Sequence, residues 1–271
     1  MEISEIPVVI FELEERTKDL SILCFEKLGF KNITVLDQEE PFSQKMKRFF
    51  ELTQQEEFKK HELFIRTDAD RLVFSGIVDL VKDSVEKLKE SSDGFLLTEG
   101  HGYECFMERV RGATPHVYSR NLIEHILNEK NELIQNIQKP ESHIGSYCKN
   151  DLNCFYFYNH LTNLHEFEQY PSKMYNAFLN RIHRGHIGYY NVEKILSDNI
   201  YGKSFQMAMD EFNKSSDKSL SLSYTKKDLE ILIEKDQLLG EITQQGIEAV
   251  YNSYESFYQL LNESYLESFN V

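Results

Sequence analysis

Apolar positions in the first half of the chain form short continuous runs, separated by segments in which they recur at helical spacing. Residues 7–11 (PVVIF) are continuously apolar, the pattern of a strand buried on both faces. Residues 17–28 place Leu20, Ile22, Leu23, Phe25 and Leu28 at helical spacing, and Gly29 ends the run. Residues 33–36 (ITVL) predict a second strand, followed by Asp37, and residues 43–52 a second helix with Met46, Phe49, Phe50 and Leu52 on its apolar face. A third strand is expected at 63–66, a helix at 78–88 and a further strand at 94–97. This alternation predicts βαβ units and an α/β fold with a mostly parallel sheet flanked by helices.

The third strand ends in Thr67-Asp68-Ala69-Asp70. Ligands of open parallel sheets sit at the carboxyl ends of the strands, where Asp37 and the Asp68/Asp70 pair both fall. In extended backbone, residues i and i+2 point the same way, so both carboxylates of the pair are able to face one ion. Two hard oxygen ligands, completed by water and a diphosphate, suit Mg²⁺ or Mn²⁺ at a nucleotide site.

Beyond residue 190 the texture changes. Residues 192–200, 205–212, 226–242 and 246–269 read as helices, interrupted by the polar stretch 213–223 (NKSSDKSLSLS). Ile247, Val250, Tyr251, Tyr254, Phe257, Leu261 and Tyr265 lie near helical spacing. These features divide the chain into a sheet domain, 1–190, and a helical C-terminal extension, 191–271. The extension is expected to pack on the sheet domain or on a second subunit, giving a homo-oligomer.

The formal net charge of −15 disfavours nucleic acid or an anionic membrane as a broad partner. From residue 237 onward there are five acids and no Lys or Arg, so a bound phosphate is expected in a local pocket or on a metal. The four cysteines form no CxxC pair and read as buried or idle thiols. No apolar run approaches the roughly 20 residues of a membrane helix, and the N-terminus lacks a signal-peptide pattern. A soluble, cytoplasmic protein is expected.

The order of PVVIF, ITVLD and FIRTDAD resembles the nucleotide-sugar half of GT-A-fold glycosyltransferases over roughly residues 5–190. Downstream, RVRGATPH (109–116) supplies a glycine loop, KPES (139–142) an acid and LHEFEQ (164–169) a histidine among acids, in the family's order. The resemblance implies that Asp68, Asp70 and His165 hold Mn²⁺ or Mg²⁺, with Asp70 a direct ligand. It also implies that Phe11, Asp37, Arg66, Asp68, Gly112 and His183 bind the nucleoside-diphosphate sugar. Arg71 shares the phosphate side with Arg66. Glu141 is the candidate general base of an inverting enzyme, with Glu99, Glu104 and Glu108 as competitors; a retaining enzyme needs no such base. His101, Arg111, Thr114 and His116 are candidates for the acceptor side. The basic patch at 181–186 (RIHRGH) either contacts donor phosphates or is a solvated turn.

Each of these residues also has a purely structural role open to it: His165 as a hydrogen-bonded histidine, Glu141 as an early-helix acid after Pro140, Asp37 as a turn cap. The resemblance implies a glycan or glycolipid acceptor of bacterial surface-polysaccharide assembly, and with it peripheral association at the inner membrane face. A transferase acting on hydroxymethylated phage DNA would use the same donor half, against the charge of the chain. A nucleotidyltransferase would want a glycine-rich loop after the first strand, where this chain has ELEERTKD. A non-catalytic interaction protein with an acidic helical tail is the remaining alternative.

Overall fold

The computed structural model describes residues 2–12, 15–37, 41–135, 139–167, 169–214, 236 and 244–269. The strands are β1 (Val8–Phe11), β2 (Ile33–Leu36), β3 (Leu63–Asp68), β4 (Arg71–Val73), β5 (Leu97–Glu104), β6 (Arg109–Ser119) and β7 (Phe155–His165). The helices are α1 (Lys18–Lys27), α2 (Phe42–Leu52), α3 (Gly76–Glu90), α4 (Arg120–Glu129), α5 (Pro140–Asn150), α6 (Pro171–His183), α7 (Val192–Ser197), α8 (Gly202–Lys214) and α9 (Gln244–Phe269). The helix expected at 226–242 lies outside the described residues, residue 236 aside.

All seven strands join one sheet in the order β2-β1-β3-β6-β5-β7-β4. Pairing is parallel for β1/β2, β1/β3 and β5/β7, and antiparallel for β3/β6, β5/β6 and β4/β7. The α/β class with a sheet flanked by helices, expected from the sequence, is what the chain adopts; the sheet is evenly mixed where a mostly parallel one was expected, with antiparallel β6 and β4 set among the parallel pairs. The strand expected at 94–97 instead starts at Leu97 and runs to Glu104. Its LTEGHGYE sequence is too rich in glycine and charge to read as a strand, and pairing with β6 and β7 on its two sides stabilises it.

Side chains alternate between two cores, as strand geometry requires. Val8, Ile10, Leu63 and Ile65 enter one, shared with α1 and α3. Val9, Phe11 and Phe64 enter the other, under α2, α4 and α5. The αL conformation of Gly29 (φ +94°) turns the chain from α1 toward β2, a conformation that costs glycine little. A third cluster joins α6, α7 and α8 around Phe178 and Phe205.

Part of the apolar stripe of α9 packs inward, while Phe257 stays exposed. Tyr254 and Tyr258 stack on Phe74, with centroids 5.1 and 4.2 Å away, and Ile247 joins the same core. Among the described residues no helix is long and apolar enough to cross a membrane.

Candidate active site

The β3–β4 turn sets the centre of the site. The Ala69 N–H donates to the Phe11 carbonyl at 2.9 Å, and its own carbonyl accepts from Thr17 Oγ1 at 2.9 Å. The Asp70 carbonyl accepts from the Glu166 N–H at 3.1 Å, which ties the turn to the end of β7. Glu166 takes φ +62°, a left-handed backbone that favours glycine. Glu104, His165 and Arg71 sit on one rung across β5, β7 and β4.

The two aspartates of the motif have different neighbours. Asp68 pairs with the guanidinium of Arg66, accepts from Thr114 Oγ1 at 3.5 Å and lies 3.8 Å from Arg71 Nε. Asp70 Oδ2 meets His165 Nε2 at 3.2 Å, and its Oδ1 is buried with no hydrogen-bond partner. The other ring nitrogen of His165, Nδ1, is held at 2.7 Å by Glu104. Glu104 is fully buried and is surrounded by guanidiniums: Arg111 at 2.9 Å, Arg181 at 3.6 Å and Arg71 at 3.9 Å. Arg181 also donates to Glu166 at 2.6 Å and to the Tyr190 hydroxyl at 3.0 Å.

These contacts set the protonation. Burial and the Arg71 charge act to lower the His165 pKa, but Asp70, Glu166 and Glu104 outweigh them and push it up to about 9. Burial alone would raise the Asp70 carboxyl; the charge and hydrogen bond of His165 hold it below its ordinary value. Glu104, opposed by burial in the same way, is kept ionised by His165 and the arginines.

The donor set fits a divalent cation. On an octahedral ion with ligands at about 2.1 Å, neighbouring ligands stand about 3 Å apart. The 3.2 Å between Asp70 Oδ2 and His165 Nε2 matches that edge, and Oδ1 of Asp70 has no protein partner. A carboxylate on the far nitrogen of a ligating histidine is the usual outer support, and Glu104 supplies it. Glu104, His165 and Glu166 also offer ligand atoms within 4.8 Å of one another, but Arg181 occupies Glu166.

A cleft of about 650 Å³ opens beside Asp68. Asp68, Arg66, Arg71, Glu99, Arg111, Gly112, Thr114, His116, Lys139 and Glu141 all line it. With Lys149, its wall carries five Lys or Arg side chains against three carboxylates, a local excess of positive charge in an acidic protein. Glu141, in the first turn of α5, has one carboxylate oxygen buried and unpartnered. Glu99 is engaged by His116 Nε2 at 3.0 Å. Glu104 is buried among arginines, and Glu108 pairs with Lys194 on the surface. Gly112 forms cleft wall on β6; a Cβ there would lie 2.4 Å from a Glu99 oxygen.

Other expected donor residues sit apart. Arg66 is buried between the rings of Phe11 and Phe42, 4.5 and 4.7 Å from their centroids, and turns its charge to Asp68. Phe11 thus sits behind Arg66 as its packing surface. Asp37 is exposed after β2, and His183 packs on Phe212 at 5.0 Å; neither lines the cleft. The Glu104–His165 pair, the Glu99–His116 pair and Lys139 are the site features the sequence did not single out in these roles. Their one signal was in β5, where Glu99 and Glu104 flank Gly100 and Gly102.

No protein-family model matches the chain, and no curated protein matches it. Two solved structures resemble it loosely. One is a glycosyltransferase involved in the glycosylation of the major capsid of PBCV-1, at 13% identity and TM-score 0.35, covering 59% of this chain and 92% of that one. The other is S. aureus TarS 1-349, at 13% identity and TM-score 0.38, covering 96% of this chain and 84% of that one. Superpositions this loose carry no chemistry across to this chain.

Proposed function

We propose that the protein is a metal-dependent glycosyltransferase that moves a sugar from a nucleoside diphosphate to a hydroxyl of a glycan or glycolipid. The observation that carries this is that Arg71 and Arg111, which line the cationic cleft together with Asp68 and Glu141, also reach Glu104 of the Asp70–His165–Glu104 relay. Asp70 and His165 are the direct ligands of Mn²⁺ or Mg²⁺, with Asp68 at the edge of the same site. The ion, when bound, offsets the negative charge that develops on the departing diphosphate.

The chain's own groups do the rest. Arg71 and Arg111 add positive charge along the phosphate side of the cleft, and Arg66 fixes the Asp68 carboxylate through its stack on Phe11 and Phe42. The sugar that leaves passes through an oxocarbenium-like state, which the carboxylates of the cleft favour. Glu141 takes the proton of the attacking hydroxyl as general base, since its free oxygen has no other partner and its rivals are engaged.

The test is a screen of nucleotide sugars for metal-dependent hydrolysis, with a thermal shift by manganese plus uridine or guanosine diphosphate as the binding readout. No hydrolysis and no shift with any nucleotide would overturn the proposal.

A further inference from the structure

Phe157 lies on β7 with 42% of its surface exposed, and of the exposed large apolar side chains among the described residues it alone sits in the sheet. An exposed ring by itself means little; its setting carries the meaning. Across the β5/β7 pairing Phe157 stands opposite Glu99. Phe155, two residues earlier on the same side of β7, lines the cleft together with Glu99 and Gly112. A Cβ on Gly112 would lie 2.4 Å from Glu99 Oε1 and 3.0 Å from Cε2 of Phe157. The ring and the carboxylate therefore converge on one glycine, whose missing side chain leaves a notch between them. Both groups are held in place. The Phe157 ring meets His101 edge to face, with centroids 4.5 Å apart and planes at 87°. Glu99 Oε2 is 3.0 Å from His116 Nε2, which leaves Oε1 at the notch.

A phenyl face is electron-rich and attracts weakly positive C–H groups, whereas a carboxylate accepts O–H. A pyranose presents both partners, a face of axial C–H groups and an edge of hydroxyls. A purely apolar ligand would leave the Glu99 carboxylate desolvated without a partner, and an anion would be repelled by it. Glu141 lines the same cleft as Glu99 and Gly112, so a sugar at the notch shares its space with the proposed base.

We infer that Phe157 and Glu99 form an acceptor subsite for an uncharged pyranose, its ring face on Phe157 and one hydroxyl on Glu99 Oε1. This rests on the glycosyl-transfer reading and names the acceptor class for the same site.

The test compares a ring with an open chain: methyl β-glucopyranoside against glucitol. Saturation-transfer NMR on the full chain without donor reads binding, and transfer with manganese and the donor found by the hydrolysis screen reads use. The pyranoside should receive saturation on its axial ring protons, and glucitol should not. Phe157→Ala should abolish that signal and raise KM for the pyranoside by about tenfold, with donor KM unmoved. Phe157→Tyr keeps the ring and should retain both. Gly112→Ala fills the notch without removing either group and should also abolish the signal.

Equal saturation of glucitol and the pyranoside would overturn the inference, as would a signal that survives Phe157→Ala. A donor KM that rises in this variant would assign the ring to the donor sugar and overturn it too. So would better use of glucuronic acid than of the pyranoside, since Glu99 faces the notch. Ring saturation lost in Phe157→Ala, with no donor hydrolysis in the screen, would remove the enzyme reading and keep the pyranose site. Donor hydrolysis without ring saturation would remove the pyranose site alone.

Discussion

Nε2 of His165 stands 3.2 Å from Oδ2 of Asp70, beside Arg71, which lines the cleft together with Asp68 and Glu141. The pair joins a residue from the β3–β4 turn to one from the end of β7, 95 positions later. Without an ion the contact is a charged hydrogen bond; on the proposed ion, the same two atoms would be neighbouring ligands. Removing Asp70 should therefore abolish metal-dependent nucleotide binding without unfolding the chain. Outer-shell partners of metal ligands are worth 10–100-fold in affinity, so Asp70→Ala should weaken manganese binding by at least about 100-fold. Isothermal titration with manganese, alongside circular dichroism, checks both halves. Normal donor turnover in this variant would discard the metal assignment.

The same pair makes the metal-free protein sensitive to alkali. The folded His165 pKa of about 9 lies above its ordinary 6.5, so the stability it contributes is complete below 6.5 and is lost as pH rises through 9. Asp70 has the opposite sign: its lowered pKa adds stability above the ordinary 3.8, lost as pH falls. Calorimetry in chelator should show Tm declining between pH 6.5 and 9. His165→Gln should flatten that limb; an unchanged slope would locate the titration elsewhere.

The alternation of strands and helices through the first half was legible because β1 and β3 are apolar on both faces and their helices are amphipathic. The acids at the end of β3 were legible for the same reason, since the apolar run Leu63–Ile65 gives way to Arg66 and Thr67 just before them. The strands that build the other cleft wall were not. β5 and β7 carry glycine, histidine, asparagine and acids because one side of them faces a polar site, and their pairing is long-range. His165 therefore read as a histidine among acids, and the Glu104 behind it as only a candidate base. Arg66 looked like a phosphate ligand from its place beside Asp68, yet Phe42, from another element, caps it.

Arg66 is nearly inaccessible, stacked between two phenyl rings and paired with Asp68. Arg66→Ala removes the packing and leaves the partly buried Asp68 short of its counter-charge. We expect a loss of about 3 kcal/mol in denaturant unfolding, in the range for breaking one side of a buried pair. Arg66→Lys restores the charge but not the planar stack and should recover only part of it. A loss within 0.5 kcal/mol, the scale of ordinary surface changes, would show the stack to be dispensable.

Glu141 should separate chemistry from binding. Glu141→Gln keeps the shape of the side chain and removes its basicity, so kcat should fall by about 10²–10⁴-fold while donor affinity holds. Single-turnover transfer measured beside nucleotide binding makes the split visible. Unchanged transfer would move the base to Glu99, which His116 engages in the cleft, or point to a retaining route.

Phe74 lies at the end of β4, and the two tyrosines of α9 that stack on it link the last helix to the strand that follows Asp70. The Tyr254 hydroxyl donates to the Val73 carbonyl, and its ring is almost wholly buried. If α9 belongs to the sheet core, Tyr254→Ala should cost about 3–5 kcal/mol, the usual range for a buried aromatic. Tyr254→Phe keeps the ring and should cost only about 1 kcal/mol for the lost hydrogen bond. Because Val73 is two residues from Arg71, the alanine variant should also weaken manganese binding, while the phenylalanine variant should not. A stable, fully metal-competent Tyr254→Ala protein would mean that α9 folds as an independent appendage and takes no part in holding β4 against β7.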